Sequence, residues 1–222
     1  MSVKPIFFAI DGKSIDEFEF ELKRLKGHIY GVKIGLELFI SEGPSVVERL
    51  KNQGWKVFLD LKLHDIPNTV KEATKSAANL GADFLTIHIA SNNKALLEAS
   101  KHKGDNLKIL GVSSALTSKA ISSNLSQGIN KEFRDAKDSG VDGVICPASE
   151  ISKTKEIFNL IITPGIRFKN DDKNDQQNVA TPNFAINQGA KYIVMGRSLR
   201  NNLDYIINDL ELWKHLLQHH LE

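Results

Sequence analysis

The sequence predicts an α/β fold, a TIM (β/α)8 barrel, on three observations. Eight short apolar runs rich in β-branched and aromatic residues alternate with eight longer amphipathic runs. The units recur about every 28 residues, the size of a strand–helix repeat. Several of the apolar runs are almost continuously hydrophobic, as parallel strands buried on both faces must be. Eight such units close most simply into a barrel. The alternative is an open doubly wound sheet, which carries fewer strands and a G-x-G-x-x-G phosphate turn after the first. Here the first turn reads Asp11-Gly12-Lys13-Ser14.

The elements follow in order. PIFFAID (5–11) is the first strand, and Ser14 then caps a helix through Lys26, with Glu17 completing a capping box. YGVKIG (30–35) is the second strand, followed by a helix from Leu36 to Gln53. WKVFLDLK (55–62) is the third, with a helix over Asn68–Asn79; FLTIHIA (84–90) is the fourth, with a helix over Lys94–Lys101. LKILGVS (107–113) is the fifth, with a helix within Gly128–Ser139; DGVICP (142–147) is the sixth, with a helix near Ser149–Ile157. NLIITPG (159–165) is the seventh, and the polar stretch Phe168–Asn178 precedes a helix over Pro182–Gln188. KYIVMG (191–196) is the eighth, and Ser198–Leu217 closes the chain as a helix. Gly54, Gly81, Gly140 and Gly189 stand at helix-to-strand returns, where a helix calls for a left-handed residue. Residues 1–222 are therefore expected to form one barrel domain, with the polar segment 167–178 as a long loop of the kind that acts as a lid.

Composition narrows the function classes. The chain of 222 residues is 41% hydrophobic and 25% charged, values that exclude disorder as its main state. Twenty-nine Lys and Arg against 27 Asp and Glu leave a formal charge of +2 with no block of one sign, so no nucleic-acid partner is expected. Mean hydropathy is -0.24, and no apolar run approaches the roughly 20 residues of a membrane helix, so no membrane partner is expected either. The N-terminal apolar run is too short for a secretory signal. Cys146 is the only cysteine, which precludes an intrachain disulfide and fits a reducing, cytoplasmic setting.

In a barrel the chemistry stands at the C-terminal ends of the strands. Asp11 ends the first strand, and the second carries Lys33. The third carries Asp60 and Lys62, with His64 and Asp65 just beyond. His88 follows on the fourth, and Ser113, Ser114 and Thr117 follow the fifth. Residues 60 and 62 share one face of a strand, leaving Leu59, Leu61 and Leu63 for the helices. Lys33 and Asp11 can point into the same mouth. Two carboxylates and two ammonium groups in alternation offset one another's burial, and an ammonium held there is a proton donor. A negative substrate group set against Asp60 would be repelled. The second signal is the pair of glycine-flanked arginines, Thr163-Pro164-Gly165-Ile166-Arg167 and Gly196-Arg197-Ser198. Loops after strands seven and eight form the usual phosphate site of this fold, and an arginine fork suits phosphate oxygens. Together these features imply a small phosphorylated substrate. His64, His88 and Cys146 are expected to be structural.

Asp60-x-Lys62-x-x-Asp65-Ile66-Pro67-Asn68-Thr69-Val70 resembles the signature of the orotidine 5′-monophosphate decarboxylase family. So do Asp11 at the end of the first strand, Val32-Lys33-Ile34-Gly35 on the second, the Thr-Pro-Gly-Ile-Arg run at 163–167 and Gly196-Arg197. These motifs run in order over nearly the whole chain. The resemblance implies a carboxy-lyase that converts orotidine 5′-monophosphate to uridine 5′-monophosphate in pyrimidine synthesis, without metal or organic cofactor. It implies that Lys62 protonates the pyrimidine carbon, that Asp60 sits against the departing carboxylate, and that Lys33 and Asp65 complete the charge array. It further implies a homodimer, with Asp65 and Thr69 reaching the partner's site. Asp11 and Thr69 would contact ribose, and Thr117 would lie near the pyrimidine ring. Pro164, Arg167, Gly196 and Arg197 would line the phosphate end, with Gln176 bridging phosphate and base. The turn His88-Ile89-Ala90-Ser91-Asn92-Asn93 departs from the glycine-richer turn of many relatives.

Two rivals remain. Magnesium-dependent sugar-phosphate decarboxylases or aldolases of the same barrel superfamily also carry Asp-x-Lys-x-x-Asp, but use a glutamate where this chain has Lys33, a cation that opposes a divalent metal. A silent nucleotide-binding barrel would have no need of an intact charge array.

Overall fold

The computed structural model describes residues 3–113, 125–168, 171 and 180–208. Its eight strands are β1 (Lys4–Ile10), β2 (Ile29–Ile34), β3 (Lys56–Leu63), β4 (Phe84–His88), β5 (Lys108–Val112), β6 (Gly143–Ile145), β7 (Ile161–Thr163) and β8 (Tyr192–Met195). They pair in parallel, in chain order, and β8 closes on β1 through Ile6↔Ile193 and Phe8↔Met195. The predicted TIM barrel is the observed fold.

Alternation along the strands separates two cores. Phe7, Phe58, Phe84, Leu110, Ile162 and Val194 fill the barrel interior. Phe7 lies at its centre, with ring centroids 5.3 Å from Tyr30 and Phe84, 5.4 Å from Phe58 and 5.5 Å from Tyr192. Edge-on aromatic packing of this kind favours one arrangement over many. Phe7 faces Gly31 in the ladder, where a Cβ would lie 2.5 Å from the Lys56 carbonyl and 2.9 Å from the Phe7 ring. The second core lies between sheet and helices and takes Ile6, Phe8, Ile10, Val57 and Leu59 from the strands and Leu22, Val47, Leu50 and Val70 from the helices.

Helix starts follow local capping. Ser14 and Glu17 form the predicted capping box, which opens a 3-10 turn, Ile15–Phe18, before the helix Glu19–Leu25. The Asn92 side chain accepts from Lys94 N at 2.8 Å, and the Thr181 hydroxyl accepts from Phe184 N at 3.3 Å. Gly54, Gly81, Gly140 and Gly189 all have positive φ, as their positions require.

Several helices differ from expectation. The run 36–53 is two helices, Leu36–Glu42 and Ser45–Asn52, because Gly43 turns to φ 68° and Pro44 lacks the N–H a continuing helix needs. Near 149–157 the chain forms a 3-10 turn, Ala148–Glu150, and a single α turn, Ile151–Thr154. After β8 the helices Arg197–Asn201 and Leu203–Asn208 are separated by Asn202, whose Nδ2 donates to the Ser198 carbonyl at 2.8 Å instead of extending the helix; residues 209–217 lie outside the described residues. The helix Leu125–Asp138 begins earlier than predicted. Among the described residues no helix is long and apolar enough to cross a membrane.

Candidate active site

Phe7, Ala9 and Asp11 share the inward face of the first strand and its exit, so Asp11 emerges over the barrel mouth. Lys33 reaches it from β2, with Nζ 3.0 Å from Asp11 Oδ1 and 3.3 Å from Oδ2. The same ammonium lies 3.7 Å from Asp60 Oδ2, and that oxygen accepts from Lys62 Nζ at 2.8 Å. The expected alternation of Asp11, Lys33, Asp60 and Lys62 is therefore assembled as one chain of contacts. Lys33 and Asp60 are its buried centre, while Asp11 and Lys62 are more open to solvent. Charges so placed are tolerated because each meets its opposite. Gly35 makes the arrangement possible: a Cβ there would lie 2.1 Å from Asp11 Oδ1 and 3.2 Å from Lys33 Nζ.

The third strand is less regular than its sequence implies. Phe58 and Leu59 pair with Phe84 and Leu85, but the next pair is Leu63↔Ile87. Asp60, Leu61 and Lys62 thus stand opposite Thr86 alone, a bulge that re-aims side chains at the strand end. Lys62 has φ 50°, the only positive value at a non-glycine among the described residues. That conformation costs an L-residue roughly 1–2 kcal/mol. Leu61 and Leu63 still pack toward the helices, so the predicted division of faces survives through a bulge rather than through plain alternation.

Thr86 escaped the reading of the sequence. It is fully buried, accepts from Lys62 N at 2.9 Å and lies 3.0 Å from Asp60 Oδ1. A lone threonine inside an apolar strand carries no sequence signal; only the bulge across from it reveals its position.

Asp65 and Thr69 are not part of the assembled array. Both are exposed, and Asp65 Oδ1 accepts from Ile66 N at 2.7 Å with no ion pair among the described residues. Next to Asp65 in the chain, Ile66 is 65% exposed. His64 and His88 face each other with ring centroids 5.5 Å apart. Burial, His64 and Lys62 hold the His88 imidazole below its ordinary range. Cys146 is buried, and burial pushes its thiol up to about 12, which leaves no thiolate nucleophile at neutral pH.

At the other side of the mouth, Gly165 takes φ 75° after Pro164 and Arg167 is buried. Arg167 N donates to the Ala180 carbonyl at 3.0 Å, and Ala180 N donates to the Gly165 carbonyl at 3.2 Å, so the base of the long loop is closed as a bridge. Gly196 precedes the helix that begins at Arg197, which is exposed. Asp171 accepts from Ser198 Oγ, and Phe168 N donates to Ser198 Oγ at 3.2 Å, tying the two arginine-bearing segments together. Thr117 and Gln176 lie outside the described residues. Among the described residues no group of three His, Cys, Asp or Glu is placed to hold a metal ion.

Residues 4–205 match the family described as the Orotidine 5′-phosphate decarboxylase / HUMPS family. The chain is 40% identical to an orotidine 5′-phosphate decarboxylase of Bacillus cytotoxicus, over 88% of this chain and 90% of that protein. It is also 40% identical to the protein of that name from Halalkalibacterium halodurans, over 89% and 92%. The fold is similar to the crystal structure of orotidine 5′-phosphate decarboxylase from Lactobacillus acidophilus, with a TM-score of 0.75 and 30% identity over 99% of this chain and all of that one.

Proposed function

The chain belongs to the orotidine 5′-phosphate decarboxylase / HUMPS family, and from that premise we infer that it decarboxylates orotidine 5′-monophosphate to uridine 5′-monophosphate. The observation that carries this reading is the chain of contacts from Asp11 through Lys33 and Asp60 to Lys62 at the barrel mouth.

Arg197, Gly196, Arg167 and Pro164 bind the substrate phosphate, and Asp11 holds the ribose. The pyrimidine carboxylate then lies against Asp60. The bond from ring carbon to carboxylate breaks, carbon dioxide leaves, and the electron pair stays on the ring carbon. No ring atom delocalises that pair easily, so stabilisation comes from the Lys62 ammonium. Lys62 is already oriented by Asp60 and needs no reorganisation as the charge develops. It gives its proton to the carbon, forming the new C–H bond, and regains one from water. Phosphate binding far from the reacting carbon supplies energy that holds the carboxylate against Asp60. The resemblance assigns Thr117 to the pyrimidine and Gln176 to phosphate and base; both lie outside the described residues.

The working form is a homodimer, with Asp65 and Thr69 completing the partner's site. The exposure of Asp65 beside exposed Ile66 supports this, because a second copy would cover the apolar side chain and bring the carboxylate to a lysine array. The single, buried cysteine suits a cytoplasmic enzyme.

The rival reading is magnesium-dependent sugar-phosphate chemistry on the same barrel. Lys33, between two carboxylates, stands against a divalent cation at this mouth. The deciding experiment follows the ultraviolet loss of orotidine 5′-monophosphate with and without excess EDTA. Rapid loss in both is expected. No loss from folded protein, or loss abolished by EDTA, overturns the reading.

A further inference from the structure

Resting on the decarboxylase reading above, we propose that Thr86 is a positioning residue: one buried hydroxyl sets both the Asp60 carboxylate and the Lys62 backbone, and so aims the pair at the reacting carbon. The bulge in β3 creates the need. Asp60, Leu61 and Lys62 face a single residue of β4, so the ladder cannot serve all their backbone groups. A buried N–H without a ladder partner requires another acceptor. Thr86 Oγ1 supplies it to Lys62 N at 2.9 Å, at the one described non-glycine residue with positive φ.

The hydroxyl has one proton to give. Asp60 Oδ1 at 3.0 Å and the Leu59 carbonyl at 3.5 Å are the acceptors in reach, and the nearer, charged oxygen takes it. Donation from Lys62 N into Oγ1 polarises the O–H toward the carboxylate, so the two bonds strengthen each other. The Asp60 carboxylate is then held at both ends: Oδ1 by the hydroxyl, Oδ2 by Lys62 Nζ at 2.8 Å and Lys33 Nζ at 3.7 Å. Without the hydroxyl, Oδ1 loses its anchor and the carboxylate can turn, taking the Lys62 ammonium with it. Thr86 is itself fully buried, and a β-branched side chain has few rotamers, so the direction of its hydroxyl is set in advance.

Thr86→Val keeps the shape and removes the hydroxyl; Thr86→Ser keeps the hydroxyl. For Thr86→Val, kcat for orotidine 5′-monophosphate should fall by about 10- to 100-fold, the factor for one lost charge-assisted hydrogen bond. The Kd for uridine 5′-monophosphate, which lacks the carboxylate that meets Asp60, should stay within about twofold. Thr86→Ser should hold kcat within about threefold of the unaltered protein. The Lys62 amide should exchange with deuterium at least about tenfold faster in Thr86→Val, a readout independent of activity. An unchanged kcat in Thr86→Val, an equal loss in kcat and nucleotide affinity, or a serine variant as impaired as the valine variant overturns the proposal. If Thr86→Val fails to fold, Thr86→Ala against Thr86→Ser carries the same comparison. Failure of the unaltered protein to turn over substrate overturns the decarboxylase reading instead, and the exchange of the Lys62 amide still reports on Thr86.

Discussion

Lys62 Nζ donates to Asp60 Oδ2 at 2.8 Å although the two residues are separated by one position on a strand that bulges between them. The contact joins the more exposed ammonium of the array to its more buried carboxylate, and it makes Lys62 the group whose removal is most informative.

Lys62→Ala should lower turnover of orotidine 5′-monophosphate by at least about a thousandfold, since both proton delivery and charge stabilisation are lost. The variant should fold, because Asp60 keeps Lys33 at 3.7 Å and Thr86 at 3.0 Å. Turnover with a circular-dichroism control checks this; near-normal rates would remove Lys62 from its role.

Arg197→Ala should raise KM for the phosphorylated substrate by about 10- to 100-fold, the loss of a charged fork on phosphate, with a smaller change in kcat. A phosphate-free nucleoside analogue should bind both proteins alike. Equal losses for the two ligands would contradict a phosphate role.

Neither Asp65→Ala nor Lys62→Ala should be active alone. Mixed and allowed to exchange subunits, they should recover about a quarter of full activity, because half the dimers are hybrids with one complete site. No recovery despite hybrid formation would place Asp65 in its own subunit's site.

His88 predicts a pH effect of definite sign. Burial, His64 and Lys62 lower its pKa below 6.5 in the folded protein. The unfolded chain therefore binds more protons there. The stability is present above about pH 6.5 and is lost as pH falls through that value toward the folded pKa. His88→Gln should lose less Tm than the unaltered protein between about pH 7.5 and about pH 5.5. An equal loss in both would mean that His88 does not titrate in this way.

Much of this was readable along the chain. Period-two alternation set Asp60 and Lys62 apart from Leu61 and Leu63, and Gly54, Gly81, Gly140 and Gly189 marked the returns, because strand period and helix ends are local matters. The misreadings were also local in origin. Gly43-Pro44 sits inside an amphipathic run whose periodicity continues on both sides, so the break is hidden unless both residues are taken as a stop.

By itself, then, the sequence determined the number and order of strands and the chemical types at their C-terminal ends, since alternation, caps and turn residues act between near neighbours. Which of those charges touch was left to the tertiary structure. Lys33 meets Asp11 and Asp60 only because barrel closure sets the stagger of three strands, and Gly35 leaves the space. Asp60 and Lys62 are held as they are because Thr86, 26 and 24 residues away, answers a bulge that no spacing in the chain announces. Asp65, in the same short motif, stays outside the array because the strand has ended and its side chain turns back on its own backbone.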